Sequence, residues 1–583
     1  MRKNIVRFIF AVVIVSCAAS LRAQEVDTVS HGRLYHILFD STLTSRVPVI
    51  RDSVLGGNVT HYKGHLTNID LRNDSRVSLG DSDRRLRIVD IRCSDNPEYA
   101  EIDRTADDTV EVKIYERDKG SGSKKGAPIF EHTFDGKHTK EIRIHLGGGD
   151  DYAIVRGNVS SSIDVHVVGG AGADELVDSS HVSGYFLHFT PFPKDQKKTY
   201  FYGEPNETNF IYSSSTVIKS GPSPLDDSAV SQPLARDWGR ALQYNPWFRA
   251  SSDEGAFIGA AISVIDYDFR EEPYDKIMTF RGGYATTPSK YEVEFSEYFP
   301  HRLGGDISVS LRASSLDVLN FFGYGNTISL DNSRYSVAGY RLHQQQFTLS
   351  HGYSYEIFEH TSIWGTAALR YVTTDADPIN DSSVIRRRYM YGVGPMTTAR
   401  FSAGVAFDSR NEVRAPTEGI YASFASIWTP EIINNSYAYT SLHADIKGYL
   451  TSQIVTPVTL ALRMNAAKLF GEHPFYESAF LGGASSLRGY YSNRFAGEES
   501  ILASADLRIE AASLSVFVPS KIGILLFADA GRVYVDNDFS NLWHTSFGGG
   551  VWVAPVSREH TIVLTIGHSS EATQMYLTTG FAF

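Results

Sequence analysis

His443, Asp445 and Lys447 alternate along one short stretch and offer the base, acid and cation that proton transfer uses. A spacing of two places all three on one face of a β-strand. Neither a Gly-x-Ser-x-Gly elbow nor an ordered set of metal ligands accompanies them, so the row reads as the wall of a water-filled space rather than a reaction centre. A second grouping is acidic. Leu146–Val155 (LGGGDDYAIV) and Val168–Val177 (VGGAGADELV) are related segments that start 22 residues apart. The second fits Gly-Gly-x-Gly-x-Asp-x-U-x, the repeat of calcium-binding β-rolls. There the glycines make sharp corners and the aspartate ligates an ion between stacked turns. The first copy is one residue short. Two readings stand: a metal-free β-roll or sandwich corner, and calcium held by Asp150, Asp151 and Asp174. The first is the expectation, with no metal, no cofactor and no enzymatic activity. A third feature is Phe480–Ser500 (FLGGASSLRGYYSNRFAGEES), too rich in glycine for a helix and too irregular for a strand, with Arg488 wedged between Leu487 and Gly489.

The elements that must position these residues begin after an export signal. Met1–Arg7 carries Arg2, Lys3 and Arg7; Phe8–Val15 is apolar but too short to span a bilayer; Ala23–Gln24 reads as a cleavage site. Ile14–Cys17 also fits a lipobox, so lipidation at Cys17 is the alternative to simple cleavage. Cys93 would then be the one cysteine left, a small packed strand residue with no disulfide partner. Net charge is −12 and the isoelectric point is near 5.9, which argues against nucleic-acid binding. No apolar run after the signal is long enough for a membrane helix. Yet 32 Tyr, 33 Phe and 48 Gly in an exported, helix-poor chain suit a transmembrane β-barrel, whose apolar residues recur with period two.

That period is legible. Leu442, Ala444, Ile446 and Leu450 alternate with Ser441, His443, Asp445 and Lys447; Phe401, Ala403, Val405 and Phe407 alternate with Ser402, Gly404, Ala406 and Asp408. Lipid outside and water inside account for both patterns. Strands are expected near 244–251, 256–266, 277–286, 290–298, 305–314, 337–353, 361–372, 399–408, 419–428, 437–450, 456–468, 500–511, 521–535, 545–554, 561–567 and 575–583. The count is sixteen, with the longest connections after the fifth, seventh and eleventh. The domain plan is therefore a signal peptide over 1–23, a periplasmic β-rich domain over 24–217, a Pro/Ser/Asp-rich linker over 218–243 and the barrel over 244–583. The fold class is all-β, a 16-stranded antiparallel transmembrane barrel preceded by a β-roll or sandwich-like domain.

Five stretches carry a family resemblance. Leu487-Arg488-Gly489-Tyr490, between Leu481-Gly482-Gly483 and Arg494-Phe495-Ala496-Gly497, resembles the sixth outer loop of the BamA/TamA-type barrel superfamily (bacterial surface antigen barrels). Phe407-Asp408-Ser409-Arg410 with Pro416-Thr417-Glu418-Gly419 is similar to its periplasmic turn. Ala503–Glu510 and Phe527-Ala528-Asp529-Ala530-Gly531 are similar to its twelfth and thirteenth strands. Asn320–Asn326 (NFFGYGN) resembles the subgroup often fused to a calcineurin-like metallophosphoesterase. That enzyme's ordered motifs are absent here, since Gly64-His65-Leu66-Thr67 lacks the second histidine.

The resemblance implies that the loop folds into the lumen, with Arg488, Gly489 and Tyr490 at its tip. A guanidinium away from water needs carboxylates. Asp506 and Asp529 share the inward faces of their strands and are the expected partners; the alternative is an exposed arginine with weak surface contacts. The resemblance also implies a weakly paired lateral seam between the first and last strands, carrying Gly580, Phe581 and Phe583. The implied function is protein insertion or translocation at the outer membrane of a Gram-negative bacterium. Its partners would be membrane lipid, unfolded outer-membrane or surface proteins and periplasmic accessory proteins. The region before the barrel offers short strands and no β-α-α-β-β (POTRA) units, which supports the alternative of a barrel that anchors its periplasmic domain or acts as a passive conduit.

Overall fold

The computed structural model describes residues 51–583 apart from 56–58, 63–65, 73–86, 185–192, 205, 221–237, 254, 272, 287–289, 319, 329, 331–339, 376–389, 516–517 and 537–539. The signal peptide, its cleavage site, Cys17 and most of the linker lie outside the described residues. The chain divides into an N-terminal unit, Arg46–Arg240 with Asp268–Arg270, and a unit made of Ala241–Tyr267 and Glu271–Phe583.

The N-terminal unit is built from parallel stacking. Ile88–Arg92, Glu141–His145, Asp164–Val168, Thr199–Gly203 and Thr216–Ser220 lie side by side in one sheet. Glu98–Ala106, Tyr152–Arg156, Asp174–Asp178 and Thr208–Ile211 do the same in a second. The chain alternates between the two, so each rung contributes one strand to each sheet. The inward residues Ile91, Ile102, Val112, Ile144, Val155, Val167, Leu176 and Phe201 are buried in one core. Each large aliphatic or aromatic side chain removed from water there contributes about 1.5–3 kcal/mol. Cys93 is a buried, free thiol in this core. Thr109–Arg117 and Lys124–Asp135 extend the second sheet as an antiparallel edge.

The glycine segments singled out in the sequence are the corners of this stack. Gly147 and Gly149 (φ 90° and 123°) lie under Gly170 and Gly172 (φ 96° and 130°). Ala171 N–H donates to Gly147 O at 3.0 Å, and Gly149 N–H donates to Ala171 O at 2.9 Å. A Cβ on Gly170 would sit 1.8 Å from Gly147 O. The rungs approach closely because no side chain stands between them.

The second unit is a closed antiparallel barrel of sixteen strands. These are β1 (Arg240–Ser251), β2 (Gly255–Asp266), β3 (Lys276–Ala285), β4 (Lys290–Arg302), β5 (Gly305–Ser314), β6 (His343–Phe358), β7 (Thr361–Asp375), β8 (Gly394–Asp408), β9 (Gly419–Thr429), β10 (Tyr439–Gln453), β11 (Pro457–Phe470), β12 (Glu499–Ser515), β13 (Pro519–Tyr534), β14 (His544–Pro555), β15 (Ile562–Ser569) and β16 (Thr573–Thr579). Outward positions such as Phe280, Leu311, Leu349, Phe424, Ile446, Leu462, Leu526 and Val551 are exposed, forming an apolar belt. Inward positions carry ions: on β10, Asp445 and Lys447 face the lumen with Arg463 of β11. Two turns of 3₁₀ helix, Phe475–Glu477 and Arg558–His560, interrupt the β structure among the described residues.

Two expected strands are corrected. The sixth is expected over 337–353; 337–339 lie outside the described residues, and the strand runs over His343–Phe358, because its register with β5 and β7 extends to the far end of the hairpin. The last was expected over 575–583; it ends at Thr579. Gly580 has φ 81° and its N–H donates to Thr561 O at 2.7 Å, which turns the chain out of the ladder.

The corner geometry gives a direct test. Gly170→Ala forces a Cβ into a carbonyl at positive φ and should destabilise the N-terminal unit by about 2–3 kcal/mol. Gly148→Ala meets nothing closer than 3.5 Å and should cost well under half of that. Modification of Cys93 in rising urea, followed in the full chain, reads both.

Candidate functional site

The loop between β11 and β12 returns into the barrel as a short hairpin, Ala479–Leu481 paired with Phe495–Gly497. Its tip is held by charge. Arg488 donates through Nε to Asp529 Oδ2 at 2.9 Å and through Nη2 to Asp529 Oδ1 at 2.6 Å, and its main-chain N–H donates to Asp529 Oδ2 at 3.1 Å. Nη2 also lies 2.9 Å from Asp506 Oδ1. The guanidinium covers the Phe527 ring at 3.7 Å. All three charged side chains are at most 2% exposed, so each is costly to leave unpaired. Asp506 reaches on to Arg508, whose Nη2 donates to the Phe583 main-chain oxygen at 2.6 Å.

Gly489 and Tyr490 extend the attachment to the last three strands. Gly489 has φ 98°, and a Cβ there would lie 2.9–3.0 Å from the main chain of Gly567 and His568 on β15. Its N–H donates to Tyr576 Oη of β16 at 3.0 Å, and its carbonyl accepts from Ser569 Oγ at 2.9 Å. Tyr490 is buried, with its hydroxyl 3.3 Å from Thr545 O of β14 and 3.2 Å from Ser570 Oγ. The tripeptide thus touches β12 through Asp506, β13 through Asp529, β14 through Thr545, β15 through Ser569 and β16 through Tyr576. A second arginine, Arg494, binds Glu571 in the β15–β16 turn at 2.6 and 2.7 Å. Sequence reasoning did not single out Tyr576, Ser569, Gly567 or Glu571, and named Arg494 only within a motif, without a partner. Inward placement of Tyr576 and the glycine inside a strand at 567 were the available signals.

Closure between first and last strands is narrow. Among the described residues, β1 and β16 meet at Ala250–Leu577 and Ser251–Tyr576, whereas β15 and β16 are in register from Ile562–Thr579 to His568–Thr573. The expected seam residues are displaced. Gly580, Phe581 and Phe583 follow the strand end rather than lie along it: Phe581 packs on Trp552 and under Arg508, and Phe583 packs on Tyr449 and Ala461. The reason is the turn at Gly580. Asp408 and Arg410 of the expected turn motif are joined by two hydrogen bonds of 2.8 and 2.7 Å. His443 hydrogen-bonds Ser441 at 3.1 Å, while Asp445 pairs with Lys447 and Arg463, so the alternating row is spread between separate partners.

In the N-terminal unit, Glu98, Asp151 and Asp174 stack at equivalent corners. Glu98 N–H donates to Asp151 Oδ1 at 2.7 Å and Asp151 N–H to Asp174 Oδ1 at 3.1 Å. Asp150 stands apart and accepts from Ala173 N–H at 3.0 Å. Among the described residues no group of three or more His, Cys, Asp or Glu converges as a metal centre, so Asp150, Asp151 and Asp174 are not brought together as a ligand set. Burial raises all three stacked acids. Asp174 is pushed up to about 6; Glu98 and Asp151 are raised further, both chiefly by burial, with Asp95 repelling Glu98 and with Glu98 and Asp174 repelling Asp151.

Residues 276–555 match the Omp85 superfamily domain. No curated protein matches the chain. Among solved structures, BamA from Haemophilus ducreyi lacking POTRA domains 1–3 aligns at 15% identity with a TM-score of 0.42, covering 58% of this chain and 70% of that one. CdiB from Acinetobacter baumannii aligns at 12% identity and TM-score 0.37, covering 59% and 66%. CdiB from Escherichia coli aligns at 13% and 0.38, covering 63% and 65%. The chain thus spans slightly under two thirds of each CdiB structure.

Two outcomes are expected. Asp529→Ala strips Arg488 of its bidentate partner and should destabilise the barrel by about 3–5 kcal/mol, with Arg488→Lys costing less, since the charge stays and the fork is lost. The temperature at which the folded barrel loses its compact gel mobility reports both. For the acid column, raised folded values mean that the native state holds protons the unfolded chain has released. Stability is full below about pH 4 and falls as pH rises through about 6 and beyond. Asp151→Asn should therefore protect Cys93 from modification at pH 8 and make no difference at pH 4.

Proposed function

We propose, from the premise that the barrel is an Omp85 superfamily domain, that this outer-membrane protein assists the insertion or translocation of other proteins through a lateral seam between β1 and β16. The observation that carries the reading is the two-pair contact of those strands, beside the ladder of seven pairs that joins β15 to β16. An incompletely paired strand edge presents free N–H and C=O groups to an incoming strand. The work is the lowering of an insertion barrier, so no reacting side chain is needed. Clients would be unfolded outer-membrane or surface proteins, reached with periplasmic accessory proteins. Arg488, Gly489 and Tyr490 act as the latch that keeps the strands next to the seam in place, with Asp506 and Asp529 as its fixed partners.

A second reading has its own observation. The described residues before the barrel form a parallel β stack rather than β-α-α-β-β units. A stack with a closed apolar core has no evident groove for client chains, which favours a barrel that anchors and displays this unit or serves as a conduit.

Depletion in the native host, with quantitative outer-membrane proteomics, separates the two. Under the first reading several unrelated barrels or surface lipoproteins fall together. A disulfide across the seam, through Ala250→Cys with Leu577→Cys, reproduces the loss until reductant is added. An unchanged outer-membrane profile refutes insertion and leaves the anchor.

A further inference from the structure

The lumen carries a second buried polar cluster, away from the loop tip, and among the described residues its charges do not balance. Glu477, in the 3₁₀ turn after β11, pairs with Arg370 of β7 through Oε1 and with Arg400 of β8 through Oε2, the latter at 3.5 Å. Two guanidinium groups therefore share one carboxylate. Arg400 makes no hydrogen bond to it at that distance.

Hydroxyl groups surround the pair. Arg370 lies opposite Thr398 in the β7–β8 ladder, and Thr429 lies opposite Tyr439 in the β9–β10 ladder. Phe401 opposite Trp428 carries the register one step on, to Arg400 opposite Thr429. Thr398, Thr429 and Tyr439 are at most 3% exposed, and Arg370 is 8% exposed. Arg370 Nε, Thr398 Oγ1, Thr429 Oγ1 and Tyr439 Oη all lack a hydrogen-bond partner. A buried donor without a partner costs about 1–3 kcal/mol, more when charged. Several on adjoining inward positions, beside an excess positive charge, describe a site whose complement is missing. What it lacks is acceptors and one negative charge. Further along the same wall Asp445 is likewise shared by Lys447 and Arg463, at 3.1 and 2.7 Å, so among the described residues no spare carboxylate stands there to neutralise Arg400.

We infer that the luminal wall formed by β7–β10 binds a small oxyanion of the phosphate class, held by Arg400 and Arg370 and by the hydroxyls of Thr398, Thr429 and Tyr439. Arg400 supplies the unspent charge, and a planar guanidinium pairs with two oxygens of a tetrahedral anion. The hydroxyls donate to the remaining oxygens. Glu477 holds both arginines in position and competes with the ligand for them. Water alone would satisfy the hydroxyls and leave the positive charge in place. A lipid headgroup does not fit, because its acyl chains would have to pass through the barrel wall.

Thermal unfolding of the purified full chain in detergent tests the site with inorganic phosphate as probe and chloride at matched ionic strength as control. The midpoint should rise with phosphate and saturate. Arg400→Gln should weaken the apparent Kd by about tenfold or more, as loss of a charge-assisted hydrogen bond requires. Glu477→Gln removes the competing charge and should tighten it by a similar factor. If Arg400→Gln does not fold, Glu477→Gln and Tyr439→Phe decide, the second weakening binding. Equal shifts in phosphate and chloride, or a Glu477→Gln protein that binds no tighter, would overturn the inference, as would stabilisation by lipid A micelles without any by inorganic phosphate.

Discussion

The barrel is organised around one buried ion pair. Arg488 reaches Asp529 with two side-chain bonds and its own main-chain N–H, and shares Asp506 with Arg508. A charge at 2% exposure inside a membrane protein is tolerated only when its partners are fixed. Here they are fixed by neighbouring strands, since Asp506 on β12 lies opposite Phe527 and Asp529 on β13 opposite Ser504, both on the inward face. The pair thus sets where the loop lies, and Gly489 then lets the loop backbone touch that of β15 with no side chain between. From this contact follow the hydrogen bonds to Ser569 and Tyr576. One arginine positions a tripeptide, and the tripeptide braces five consecutive strands.

Much of this was legible because period-two alternation is a strong signal when one face meets lipid and the other water. Leu442, Ile446 and Leu450 against Asp445 and Lys447 fix both the strand and its facing. Asp506 and Asp529 were readable as inward by the same rule. Strand ends were less legible. The sixth strand runs on to Phe358 because pairing with β5 and β7 sets its limits, and pairing is not a property of one segment. The last strand ends at Gly580, although Phe581 and Phe583 continue the alternation; a single positive φ overrides the pattern. The contacts of Arg494 with Glu571 and of Tyr490 with Thr545 join residues far apart in sequence, and no local spacing announces them.

The N-terminal unit shows the opposite balance. Its glycine corners were visible in the sequence as a repeat, and they are corners of a parallel stack. What the repeat did not disclose is how the acids at the corners are used. Asp151 and Asp174 each accept a main-chain N–H from the rung alongside, so the carboxyl groups cap the rungs instead of converging. Burial raises their affinity for protons, against the lowering effect of the N–H donors.

The latch and the seam impose opposing demands on the same strands. β16 is held from inside by Tyr576 and along its length by β15, yet it meets β1 at two positions. The inward turn at Gly580 takes Phe581 and Phe583 out of reach of β1 and hands them to Arg508, which is itself tied to Asp506. The chain beyond the last strand is therefore anchored to the same carboxylate as the loop tip. Any outward swing of β16 must stretch contacts that lead back to Asp506 and Arg488, whereas parting β1 from β16 breaks few main-chain bonds. The least-paired boundary between described strands, β1 against β16, thus lies beside the most heavily cross-linked ones, β12–β16.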